Sequence, residues 1–305
     1  MPEFLELLPP EEALALLLAR LAPRPDTETI PTDEALGRVT AAGVRAPHPL
    51  PSFPRSTVDG YAVRAADTFG ASDTLPAYLA LAGEVPMGAV PALSLLPAQC
   101  ALIHTGGMLP EGADAVVMVE HTQGARPDEV EILRAVAVGE NVLKIGEDVA
   151  EGQEVLPAGA RLRPAEIGGL MALGITRVAV AACPRVGILS SGDEVIPPEQ
   201  SLGPGQVRDV NAYTLSALVQ AAGGEPVRYG ILPDNAGAMQ TAAARALAEC
   251  DVVVITAGSS ASTRDLTAEV INRLGQPGVL AHGVNVRPGK PTILGVCDGR
   301  PITAL

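Results

Sequence analysis

The sequence predicts a multidomain α/β and β chain in which a three-layer α/β domain follows a β domain inserted into a discontinuous helical region. Three observations predict it. After Pro184, apolar runs alternate with helical segments, the mark of a parallel sheet buried on both faces. From Pro47, short strand-like runs separated by Gly, Pro and Asp give an all-β texture. Helical spacing brackets that stretch, at residues 10–21 before it and at RPAEIGGLMALG after it. With 305 residues the chain can hold two or three domains with cores of their own.

In chain order, MPEFLELLPPEEALALLLARLA reads as an amphipathic helix, with acids ahead of the apolar run and neither a basic leader nor a cleavage pattern. PTDEALGRVTAAGV offers Thr32 as the cap of a second short helix. GYAVR, AYLALAGE, ALIHTGG, DAVVMVE and EVEIL are the strands of the inserted domain, which closes near NVLKIGEDV. RPAEIGGLMALG is a helix opened by Pro164 and closed by Gly174. RVGILS, a helix at 211–222, PVRYGIL, a helix at 235–249, DVVVIT, a helix near 266–274, GVLAHGV and the strand-like PTILGVC complete the chain. The expected boundaries are 1–46 with 145–182 for the helical linker, 47–144 for the β domain and 183–305 for the α/β domain. The ending at GRPITAL, just past an apolar strand and without a closing turn, reads as a shortened chain or an unusual terminus.

Composition excludes several classes. Lys and Arg number 21 against 35 Asp and Glu, a net charge of −14, which repels a phosphate backbone; aromatics are 2% with no Trp, so base-stacking platforms are missing. No nucleic acid partner is expected. The longest stretch free of charge, 85–110, is broken by Pro86, Pro91, Pro97 and Gln99, so no membrane span is expected either. Cys100, Cys183, Cys250 and Cys297 show neither a C-x-x-C pair nor metal spacing, which fits thiols in a reducing cytoplasm.

Ligands of open parallel sheets bind beyond the carboxyl ends of the strands, and three such ends here are acidic. RVGILS leads to SGDE with Asp193 and Glu194, RYGILP to Asp234, and DVVVIT to AGSSASTRD with Asp265. One such residue ordinarily caps the following helix. Carboxylates converging from all three ends repel unless a hard cation relieves them, and Mg²⁺ takes one or two carboxylates together with substrate phosphates. The small residues of 257–262 allow backbone N–H groups to cradle an anion at a helix start. Lys290 in RPGKP supplies a compact cation, Asp59 stands in a turn with Gly60, Thr105 lies in IHTGG, and Asp148 lies in GED. No Walker loop, dinucleotide fingerprint or G-x-S-x-G elbow occurs.

PRSTVDGYAVR, IHTGGMLPEGADAVVMVE, ENVLKIGEDV, RVGILSSGDEV, GPGQVRDVNAYTL, GILPDN, DVVVITAGSSASTRD and VRPGKP resemble, in order, the signature blocks of the molybdopterin molybdotransferases, the family of MoeA and the gephyrin E domain. The resemblance covers essentially the whole chain. It implies a homodimer that takes adenylated molybdopterin, cleaves its phosphoanhydride with Mg²⁺, releases AMP and inserts molybdate. It implies catalytic roles for Asp59, Thr105, Asp148, Glu194 and Lys290. Ser190, Gly192, Gly258, Ser260, Ser262, Arg287 and Lys290 would bind the pterin nucleotide, and Glu194, Asp234 and Asp265 would hold the metal. The β-region residues would meet the α/β domain of the other subunit, and a molybdopterin adenylyltransferase is an implied partner.

The chain departs from the family in three places. AGSSASTRD stands where the family has G-G-x-S-x-G-x-x-D, Arg287 stands where many members carry Lys, and a final β domain would follow Leu305. Two other readings stay open: a molybdopterin-binding scaffold with weak catalysis, and a CinA-like phosphoanhydride hydrolase.

Overall fold

The computed structural model describes residues 7–22, 26–256 and 261–305, with the side chains of 261–265 outside the description. The chain forms two compact units, Thr40–Arg177 and Met1–Val39 with Val178–Leu305. The stretches 1–46 and 145–182 are thus distributed over both units.

In the first unit, six strands form one sheet: β1 (Gly60–Val63), β2 (Ala77–Glu84), β3 (Gln99–Ile103), β4 (Ala115–Met118), β5 (Thr122–Arg126) and β6 (Glu129–Ile132), in the order β4-β1-β3-β2-β6-β5. All neighbours are antiparallel except β2 and β3. Both faces are covered, which alternation along the strands explains. Val63, Cys100, Ala115 and Val117 pack on one side, and Ala62, Ala101, Ile103 and Val116 pack on the other. The sequence reading missed β5, TQGAR, because an edge strand with one paired side needs no apolar alternation; its residues are largely exposed. The helix Pro164–Ala172 forms as expected, with Gly174 in the left-handed region at φ +68° and the Glu166 carboxylate accepting from the Arg163 N–H at 2.9 Å.

The second unit carries a six-stranded sheet of β7 (Arg185–Ser191), β8 (Glu225–Leu232), β9 (Val252–Thr256), β10 (Pro277–His282), β11 (Ile293–Cys297) and β12 (Arg300–Ala304), in the order β8-β7-β9-β12-β11-β10. β8, β7, β9 and β12 run parallel; β11 runs against its neighbours, so β10 again points with the parallel set. Helix α1 (Asn211–Ala221) covers Val186 and Ile188 on one face. α2 (Ala236–Glu249) and α3 (Ala261–Leu274) cover Leu189, Val253, Ile255 and Ile302 on the other. That three-layer arrangement explains the continuous apolar run of VVVIT, since successive residues face different helices. Asn235 caps α2, its Oδ1 accepting from Gly237 N at 2.8 Å and Ala238 N at 3.1 Å. The helix Pro10–Leu18 lies against β10 and β11.

Two expectations are corrected. Thr32 starts a single 3₁₀ turn, Thr32–Glu34, not a helix. Gly37 takes φ +78° three residues on, and the preceding Thr27–Pro31 is held as a strand against Arg177–Ala181. Secondly, GRPITAL, read as lacking a closing turn, is a turn and strand. Asp298 (φ +50°) and Gly299 (φ +85°) make a two-residue turn with two positive φ angles that folds Arg300–Ala304 back as β12, between β9 and β11. Asp-Gly between apolar runs is the signal for that turn.

All four cysteines are free; Cys100, Cys250 and Cys297 are buried and Cys183 is exposed. Burial pushes the Cys100 thiol up to about 12 and Cys297 to about 11. The native protein is therefore expected to show one fast-reacting thiol with an aromatic disulfide reagent at neutral pH, and four after unfolding. A Cys183→Ser variant that still reacts quickly would contradict this.

Candidate functional site

Ligands of open parallel sheets bind beyond the carboxyl ends of strands whose connections leave on opposite faces. The chain leaves β7 for α1 on one face and leaves β9 for α3 on the other, which makes the carboxyl ends of these two strands the candidate place. Ser190, Ser191 and Gly192 stand at the end of β7, and Thr256 ends β9 beside them, its carbonyl accepting from Ser191 Oγ at 3.3 Å. Gly192 is required there. It adopts φ +141°, and a Cβ would lie 2.7 Å from Val195 Cγ2 and 2.9 Å from Glu194 Oε2.

Two of the three acidic strand ends are brought near each other. Asp234, just past β8, receives its neighbours' charge: burial, then Asp193 and Glu194, raise its carboxyl above the ordinary aspartate value of 3.8, against hydrogen bonds from the Asp193 backbone and the Ser191 side chain. Its N–H donates to Asp193 Oδ1 at 3.3 Å. Among the described residues, no three His, Cys, Asp or Glu side chains stand in a metal-holding arrangement. The third expected ligand, Asp265, has its side chain outside the described residues, as does Ser262; Gly258 and Ser260 lie wholly outside them. The donor set nevertheless suits a hard divalent cation, since it consists of oxygen anions that penalise one another.

Ser190 is placed differently from the other expected ligand residues. It is 2% exposed, and its hydroxyl donates to Asp209 Oδ2 at 2.7 Å, so it faces the α1 side of the sheet and not open solvent. Arg287 and Lys290 are exposed on the loop between β10 and β11. That loop is closed by Gly283 N to Thr292 O and Val284 N to Lys290 O, each 2.9 Å. It lies on the same edge of the sheet as Gly192 and Asp234, because β10 points with the parallel strands. At ~4.8 Å per strand, β7 to β10 spans roughly 19 Å along that edge. The cations and the carboxylates thus mark two regions of one rim.

In the β unit, Asp59 and Thr105 are brought into contact. Thr105 N donates to Asp59 Oδ1 at 2.7 Å and Thr105 Oγ1 at 3.1 Å; His104 Nδ1 is 3.7 Å from the same oxygen. Those backbone and hydroxyl bonds, in that order, hold the Asp59 carboxyl below its ordinary value. His104 Nε2 in turn meets Glu84 Oε1 at 3.2 Å. The two loops are stitched by backbone bonds, Ser56 N to Gly107 O at 2.9 Å and Gly106 N to Ser56 O at 2.8 Å. Asp148 pairs with Arg55 at 3.8 Å, and no bond from either to Asp59 or Thr105 is seen among the described residues. Thr105→Val removes the hydroxyl bond and leaves the amide bond, so the Asp59 carboxyl should titrate at higher pH than in the parent; an unchanged NMR titration would oppose that cause.

A family model for the MoeA N-terminal region (domain I and II) matches residues 8–174, and one described as a probable molybdopterin binding domain matches 187–305. The chain belongs to the MoeA family. A molybdopterin molybdenumtransferase of Nostoc is 37% identical over 275 residues, 90% of this chain and 63% of the relative. That of Haemophilus influenzae is 32% identical over 304 residues, 97% of this chain and 73% of the relative. Two crystal structures of the molybdopterin biosynthesis MoeA protein from Pyrococcus horikoshii are 38% and 36% identical, with TM-scores of 0.82 and 0.83, covering 98% of this chain and 74% of theirs. Several of the relatives are named as transferase enzymes, and this chain carries the family's fold.

Within the MoeA frame, Asp193, expected at an acidic strand end, presses on Asp234. Two residues beyond the expected set stand out: Asp209 holds Ser190, and His104 bridges Asp59 and Glu84. His104 was legible only as the sequence neighbour of Thr105. No sequence signal marked Asp209, because its partner lies 19 positions away. No helix among the described residues is long and apolar enough to cross a membrane.

Proposed function

We propose that the chain carries out the molybdate insertion step of molybdenum cofactor biosynthesis on adenylated molybdopterin, with release of AMP. The observation that carries the reading is the placing of Asp234 beside Asp193, whose Oδ1 accepts from the Asp234 N–H at 3.3 Å, and Glu194 at the carboxyl edge of a parallel sheet. Glu194, Asp234 and Asp265 would hold Mg²⁺. When bound, Mg²⁺ supplies positive charge against the phosphoanhydride oxygens as AMP departs.

The chain's own residues do the positioning. Gly192 and the small residues Gly258, Ser260 and Ser262 admit the pterin nucleotide close to the backbone. Lys290 offers a point charge and Arg287 a planar fork to an oxyanion, molybdate or phosphate. A rim with carboxylates at one part and cations at another suits a ligand with two chemically distinct ends. Asp59, Thr105 and Asp148 form the second group; in the homodimer we propose, they serve the α/β unit of the partner subunit. A cytoplasmic setting, in which an adenylyltransferase supplies the substrate, fits the four free thiols.

The test is direct: purified protein is incubated with adenylated molybdopterin, molybdate and Mg²⁺, and AMP is measured. Metal-dependent AMP release is expected. Pterin binding without AMP would favour a scaffold, and neither binding nor release would sink the reading.

A further inference from the structure

We infer that Asp209 is the positioning residue of the carboxylate rim, a claim that rests on the function proposed above. Residues 192–209 leave β7 and return to its end. Within this loop the chain bonds to itself: Val195–Ile196 pairs in parallel with Val207–Arg208, Val207 N donates to Glu194 O at 2.9 Å, and Arg208 Nε donates to Pro198 O at 3.0 Å. The loop carries Asp193 and Glu194, the two charges that act on Asp234.

The exit of the loop is closed by one side chain. Asp209 is 7% exposed, and its Oδ2 accepts from Ser190 Oγ at 2.7 Å on β7. Its Oδ1 accepts from Ala212 N at 3.1 Å in the first turn of α1, where the helix dipole favours a negative group. Its own N–H donates to Ile196 O at 2.9 Å, inside the loop. One carboxylate therefore ties strand, loop and helix at a single point. No ion pair compensates it among the described residues, so its placement depends on those neutral donors. Removing it leaves the buried Ser190 hydroxyl and a first-turn amide without their acceptor and frees the exit of the loop. Ser190 belongs to the site through this bond, acting on the rim through Asp209 instead of touching ligand.

The test compares Asp209→Ala, Asp209→Asn, Ser190→Ala and the double Ser190→Ala/Asp209→Ala protein with the parent. The readouts are amide hydrogen exchange of residues 192–208 and the Mg²⁺ concentration for half-maximal AMP release. Asp209→Ala is expected to speed exchange in the loop about tenfold or more while β7–β9 amides hold. The metal requirement should rise roughly tenfold, the scale of losses when a ligand's supporting partner is removed. Asp209→Asn should recover part of both, and the double variant should match Asp209→Ala, not the product of the two single effects. Ser190→Ala keeps the test open if Asp209→Ala does not fold. Loop exchange and metal requirement both unchanged in a folded variant overturn the inference. If the parent itself releases no AMP, the proposed function fails, and the exchange data alone decide whether Asp209 holds the loop.

Discussion

Gly60→Ala should destabilise the β unit by about 3 kcal/mol or more, at the upper end for overpacking in a rigid core. A Cβ at this position would lie 1.9 Å from the carbonyl oxygen of Val117 and 3.1 Å from Met118 Cα, on backbone that is paired with β1. No side chain can rotate away to make room, so β4 must separate from β1. The separation would spread to the site, because Val119 N donates to Asp59 O at 3.0 Å just beyond the same pair. Gly124→Ala, in β5 with open space around the Cβ and an ordinary φ, should stay within about 0.5 kcal/mol. Urea unfolding followed by far-ultraviolet circular dichroism checks both; a midpoint for Gly60→Ala equal to that of Gly124→Ala would contradict the crowding.

Asp234→Asn should lower AMP release a hundredfold or more, the scale of several kcal/mol of lost metal stabilisation, while leaving the fold no less stable than the parent. The two effects have one cause. In the folded chain, burial and the charges of Asp193 and Glu194 raise the Asp234 carboxyl above its unfolded value of 3.8. Its negative form is therefore penalised on folding. The penalty is fully present above the folded pKa and disappears as pH falls through it toward the unfolded value. The parent should thus gain stability relative to Asp234→Asn as the pH drops through that window, and lose the advantage above it. Melting curves of the two proteins across the window provide the check. A variant that melts lower than the parent at neutral pH would show that Asp234 supports the fold and does not burden it.

The parts of the fold that were legible in the sequence are those where each segment's pattern follows from its own surroundings. VVVIT announces a strand buried on two faces because helices sit on both, and Asn235 announces a helix start because its side chain answers amides two and three residues on. The segments that were misread depend on distant partners. TQGAR is a strand only because β6 lies beside it, and PITA is an inner strand only because β9 and β11 leave a slot between them. Thr32 heads a single turn because neighbouring backbone is held by Arg177–Ala181.

The candidate site divides in the same way. From residue types and order alone came the acidic strand ends at Glu194 and Asp234, the Asp59 and Thr105 loops and the likeness to the MoeA family. Only the tertiary structure decided that Thr105 donates twice to one oxygen of Asp59, that Asp148 pairs with Arg55, and that Ser190 is turned to Asp209 beneath the rim. Gly60 shows why. Asp-Gly reads locally as a turn, yet the glycine is there because the carbonyl of Val117, 57 residues later, occupies the space where a side chain would be. Local chemistry is written along the chain, whereas crowding and the pairing of charges depend on what folding brings next to it.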